Sequence, residues 1–179
     1  MTPPFSIIPG GKGAPAAKRE QLRESLWPNA DALVWDRKRE KGFCTVPRTL
    51  PLILSLIKDL TPKLDSSRVY LDLWCRAFDE GLIEVRDEEA LAYASGYESP
   101  GRNVRTWRER IEALQELGFI KTKPAGSRKY GHVLLIHPHR VVQDLRARGQ
   151  VPDKWWGAYV QRATEVGVPF EKSKGKGRP

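Results

Sequence analysis

Residues 66–136 read SSRVYLDLWCRAFDEGLIEVRDEEALAYASGYESPGRNVRTWRERIEALQELGFIKTKPAGSRKYGHVLLI. Within this stretch the hydrophobic period alternates between that of a helix and that of a strand. Val69, Tyr70, Leu73, Trp74, Ala77 and Phe78 recur at three-and-four spacing and predict one apolar helix face, capped by Ser66 or Ser67 and closed by Gly81. Residues 82–86 predict a short strand, after which Asp87 is placed to cap a second helix with Leu91 and Ala92 inward, ending at Gly96. A turn at 97–101 leads into a longer helix over about 102–117. Its inward face is Val104, Trp107, Ile111, Leu114 and Leu117, and Gly118 supplies the stop. A hairpin follows, with strands over 119–124 and 130–136 and a turn at 125–128.

This order of helix, short strand, helix, tight turn, longer helix and hairpin resembles a winged helix-turn-helix. The residues that carry the resemblance are Ile83, Ala90-Leu91-Ala92, Gly96, Arg105-Thr106-Trp107, Ile111, Leu114, Leu117-Gly118-Phe119-Ile120, Gly126 and Arg128-Lys129-Tyr130. The resemblance implies a mainly α fold with a small β-hairpin wing and helical extensions at both ends. It also implies that the longer helix enters the major groove of double-stranded DNA while the wing lies along the backbone or minor groove. Carried over by position, the reading end is Arg102, Asn103, Arg105, Thr106, Arg108 and Glu109, and the wing offers Lys121, Lys123, Ser127, Arg128 and Lys129. The chemistry suits those roles: arginine pairs guanine through two parallel hydrogen bonds, asparagine pairs adenine in the same way, and lysines meet phosphates.

Charge supports the same direction. The chain of 179 residues has 31 Lys+Arg against 22 Asp+Glu, a net charge of +9. Between Glu98 and His132 there are eight cations (102, 105, 108, 110, 121, 123, 128, 129) and four glutamates (98, 109, 112, 116), so nearly half the excess falls in about a fifth of the length. Arginines at the start of a helix oppose its dipole, a conflict that an anionic partner relieves. Glu112 and Glu116 fall late in the helix, away from the expected groove. The plain alternative is a solvated face on a winged module that docks proteins.

Working outward, residues 1–20 hold Pro3, Pro4, Pro9, Pro15 and Gly10-Gly11-Lys12-Gly13, and are expected to be a disordered arm. Residues 21–65 form a helical extension, with helices expected over 19–26, 30–41 and 52–60 and an extended piece at 43–46. The winged module spans 66–137. A C-terminal helical extension over 138–167 contains Val141, Val142 and Leu145 on one helix, and on another, capped by Asp153, Trp155, Trp156, Tyr159, Val160 and Ala163. These aromatics either complete the core or form a homodimer surface through Trp155, Trp156 and Tyr159. Residues 168–179 are expected to be a disordered basic tail.

Other chemistries find little support. Two cysteines exclude a disulfide framework and fit a reducing compartment, so a cytoplasmic protein is expected. No apolar run reaches the ~20 residues of a membrane helix, and Phe5-Ser6-Ile7-Ile8 is cut off by Pro9-Gly10-Gly11, so no secretory leader is expected. The Gly10–Gly13 stretch lacks phosphate-loop spacing, and His132, His137 and His139 with the distant cysteines do not make a metal set. No catalytic constellation, cofactor motif or internal repeat is evident. The expected function is a sequence-specific regulator of transcription. Small basic winged-helix proteins with flanking arms also resemble replication-initiation and partition factors of plasmids and phages, and a protein–protein adaptor is the third alternative.

Overall fold

The computed structural model describes residues 14–168. Residues 1–13 and 169–179, with most of the expected arm and basic tail, lie outside the described residues. The chain divides into two units, Met1–Phe43 and Cys44–Pro179.

In the first unit, helix α1 runs Ala14–Leu26, beginning five residues before the expected start and taking in part of the segment expected as an arm. Ala14, Ala16 and Ala17 are strong helix formers, and Pro15 sits in the first turn, where its missing N–H breaks no helical bond. The helix expected over 30–41 does not form; it is reduced to a single 3-10 turn at Ala30–Ala32. Asn29, at φ 64, reverses the chain before it. Beyond it the Asp36 carboxylate accepts the Lys38 N–H at 2.9 Å, a local bond that competes with helix.

The second unit is a helix-rich fold around a small antiparallel sheet. Its helices are α2 (Leu50–Leu60), α3 (Ser67–Arg76), α4 (Glu88–Ala94), α5 (Asn103–Leu117), α6 (Pro138–Ala147) and α7 (Asp153–Glu165). The strands are β1 (Leu82–Glu84), β2 (Ile120–Ala125) and β3 (Arg128–Leu135), in sheet order β1-β3-β2. The short β1 pairs through Ile83↔Val133 and its neighbours, and β2 through Thr122↔Val133, with an irregularity between Lys123 and Ala125.

Local chemistry explains most boundaries. The Asp87 side chain accepts from the N–H groups of Glu89 (2.9 Å) and Ala90 (3.1 Å) and starts α4 as expected. Gly118, at φ 90, ends α5, and the Phe119 N–H returns to Leu114 O at 3.0 Å. The end of α3 differs from expectation. The helix stops at Arg76, with Ala77 already extended, and Phe78 is 80 % exposed. Gly81 does not close it; its carbonyl accepts the Leu135 N–H at 2.9 Å and belongs to the sheet. Ser66 also makes no side-chain cap bond, and its own N–H donates to Thr61 Oγ1 at 3.1 Å.

One core runs from α2 to α7. Ile53, Leu56 and Ile57 of α2 join Tyr70 and Leu73 of α3, Trp107, Ile111 and Leu114 of α5, Val133 of β3, Val142 and Leu145 of α6, and Tyr159 of α7. Tyr70 and Phe119 pack with ring centroids 5.1 Å apart. The C-terminal aromatics are used by their own chain. Tyr159 is fully buried and bonded to His139 Nδ1, while the half-buried Trp155 donates its Nε1–H to Leu52 O (3.1 Å) and Ser55 Oγ (3.0 Å). Tyr159 is therefore a core residue and not part of a self-association surface. Among the described residues, no helix is long and apolar enough to cross a membrane.

Candidate nucleic-acid interface

Burial of Trp107, Ile111 and Leu114 fixes the roll of α5 about its axis. Arg105, Arg108 and Glu112 then lie on its exposed side. The helix has no acid in its first turn, so its partly positive end meets the cations Arg102 and Arg105 with no carboxylate in that turn to offset them. Arg102 is exposed and has no acidic partner among the described residues. Arg105 is 83 % exposed and makes one contact with Glu109, Nε to Oε1 at 3.2 Å. An exposed i,i+4 pair of this kind contributes roughly 0.3–0.5 kcal/mol, so Arg105 is free to exchange it for another acceptor.

The neighbouring candidates are more committed. Arg108 donates through Nε (3.0 Å) and Nη2 to Glu88 Oε2 of α4, and the Glu88 side chain is only 9 % exposed. That bond raises the Arg108 pKa above its ordinary value. Arg108 thus joins the two helices, a role that sequence spacing did not indicate. Asn103 is half-buried and its Oδ1 accepts the Val104 N–H at 2.9 Å, which leaves its amide N–H groups as the available half of a two-point contact. Thr106 is half-buried, and its carbonyl accepts from Arg110 Nη1 at 3.1 Å. Glu109 accepts from both Arg105 and Arg110, and the Arg110 guanidinium lies 5.1 Å from the centre of the Tyr97 ring.

The hairpin distributes its cations over two places. At the tip Ser127 and Arg128 are exposed, and Arg128 Nη1 donates to Arg86 O at 3.2 Å. Lys129 donates to Glu112 Oε1 at 2.7 Å, and Tyr130 Oη bonds to the same oxygen. The Lys129 bond, then the Tyr130 bond, holds the Glu112 carboxyl below the usual range. Glu112 lies beside the hairpin, because β3 returns along α5 and brings Lys129 onto it. Lys121 and Lys123 lie away from the tip, on the outward sheet face. There Lys121 is in register with Leu134 and Leu82, and Lys123 with His132. A shallow cavity of about 510 Å³ lies against these residues.

Arg68 of α3 also belongs to this region, since a Cβ placed on Gly96 would come within 2.8 Å of its Nη1. Gly96, at φ 86, makes the turn between α4 and α5. Neither Arg68 nor Glu88 stood out in the sequence, because their contacts join distant parts of the chain. Among the described residues, no group of three or more His, Cys, Asp and Glu side chains is placed to hold a metal ion.

No family model matches the chain, and no curated protein or solved structure matches it. The chemistry of the site therefore stands on its geometry. Arg102 and Arg105 present forked donors at an exposed helix start. Arg128 and Ser127 are exposed at the hairpin tip. Such an array suits a large polyanion with flat acceptor edges.

Proposed function

We propose that the second unit is a winged helix-turn-helix and that the protein binds double-stranded DNA sequence-specifically, as a regulator of transcription. In this reading α4 and α5 form the helix-turn-helix, Arg102 and Arg105 reach base edges in the major groove, and the hairpin tip meets the backbone. The observation that carries the reading is the exposed, acid-free start of α5. Two arginines stand there against the helix dipole, one of them unpaired among the described residues. The connection α3-β1-α4-α5-β2-β3 with sheet order β1-β3-β2 supports it, since the hairpin tip then emerges beyond the end of β1, where Arg128 donates to Arg86 O.

Selection of bound duplexes from a random pool tests the proposal. A transcription regulator enriches a short motif, in inverted repeat where two copies bind. Enrichment of direct repeats beside an A·T-rich stretch assigns the protein instead to replication initiation. No enrichment, with only salt-sensitive weak binding, removes sequence-specific recognition altogether.

A further inference from the structure

In the first unit, Trp35 and Phe43 lie on either side of a charged turn that holds their rings together. The Asp36 carboxylate accepts the Lys38 N–H, and the Asp36 carbonyl accepts from the N–H groups of Arg39 (2.9 Å) and Glu40 (2.8 Å). Arg39 Nε bonds to the same carboxylate at 3.2 Å. Gly42, at φ 79, redirects the chain immediately before Phe43. The ring centroids are 5.9 Å apart, edge to face, yet Trp35 is 59 % and Phe43 51 % exposed.

Two rings held in contact and left more than half in water are open to a further flat partner. The charges around them define it. Asp36 is occupied by Arg39, which leaves Arg37, Lys38 and Lys41, all exposed, against Glu40 alone. An apolar protein face would have to strip water from three cations to reach the rings. A nucleic-acid strand stacks bases on the rings and sets phosphates against the cations. We propose that the Trp35–Phe43 turn is a stacking platform for unpaired bases of single-stranded nucleic acid. This proposal does not depend on duplex recognition by α5.

The test titrates the full chain with labelled oligothymidylate and oligouridylate of about twenty nucleotides, and with an abasic oligomer carrying the same phosphates. The expected result is tighter binding of the base-bearing strands than of the abasic one, the tighter homopolymer naming DNA or RNA as the ligand. Trp35→Ala and Phe43→Ala should each weaken strand binding about tenfold and leave the abasic oligomer unaffected, while Trp35→Phe restores most of the loss. Equal binding of abasic and base-bearing strands, or unchanged affinity in both alanine variants, overturns the proposal. So does a wild-type oligomer that Trp35→Ala dissociates while strand binding persists, because the rings then cover a second copy. Ring-dependent strand binding without any duplex binding would overturn the function proposed for α5 and leave this one standing.

Discussion

Lys129 is tied to Glu112, Nζ donating to Oε1 across 2.7 Å, so that β3 is fastened to the middle of α5 by an ion pair on the face proposed to meet DNA. Its cation is already partly neutralised within the chain. Arg102, one end of the same helix away, has no such partner among the described residues. The two cations therefore differ in what each can give to a phosphate.

Replacing Glu112 with Gln should release Lys129 to a phosphate. The expected outcome is several-fold tighter binding to any duplex and a dependence on salt steeper by about one unit. Lys129→Ala in the wild-type background should change the salt slope by less than that, because its charge is shared with Glu112. Titration across a salt series checks both, and an unchanged slope in Glu112→Gln would show that Lys129 stays away from the backbone.

Gly131 holds the hairpin irregularity together. A Cβ there would meet Ala125 Cβ at 2.2 Å and Ala125 N at 2.5 Å, opposite the break in register between Lys123 and Ala125. Because part of the clash is with backbone, the strands must separate. Gly131→Ala should destabilise the unit by about 1–3 kcal/mol or more, as overpacking does. A urea midpoint within error of wild type would contradict the placement of the two strands.

Stability should fall in mild acid through His139. Burial first, and His137 second, hold its pKa below the ordinary 6.5, and its Nδ1 faces the Tyr159 hydroxyl. The folded state thus binds this proton more weakly than the unfolded chain. The contribution is complete above about pH 6.5 and is lost as pH drops through the folded value. Urea midpoints at pH 7.5 and 5.5 should differ more for wild type than for His139→Gln. Equal differences would place the pH dependence elsewhere.

The parts of this fold legible in the sequence were those set by near neighbours. Asp87 bonds to residues two and three positions on, Gly118 turns the chain where it stands, and Trp107, Ile111 and Leu114 share a face by spacing alone. Phe78 fits the spacing of α3 but lies beyond its end, because Ala77 is already extended. The helix expected at 30–41 failed for a local reason that spacing does not register, the bond from Lys38 N–H to the Asp36 side chain. At the candidate site, Arg102 and Arg105 are exposed as the sequence indicated. The ties of Arg108 to Glu88 and of Lys129 to Glu112 cross between elements, and nothing in either segment alone specifies them. They separate cations already paired across elements from those left for a partner.

The most direct test of the duplex reading compares Arg105→Ala with wild type on two duplexes, the selected sequence and a scrambled one. Wild type should prefer the selected duplex by about a thousandfold or more. Arg105→Ala should lose about 1–3 kcal/mol on the selected sequence, relax base choice at one position, and lose much less on the scrambled one. Equal affinity of wild type for both duplexes, or an Arg105→Ala loss of the same size on each, would contradict base reading by the start of α5.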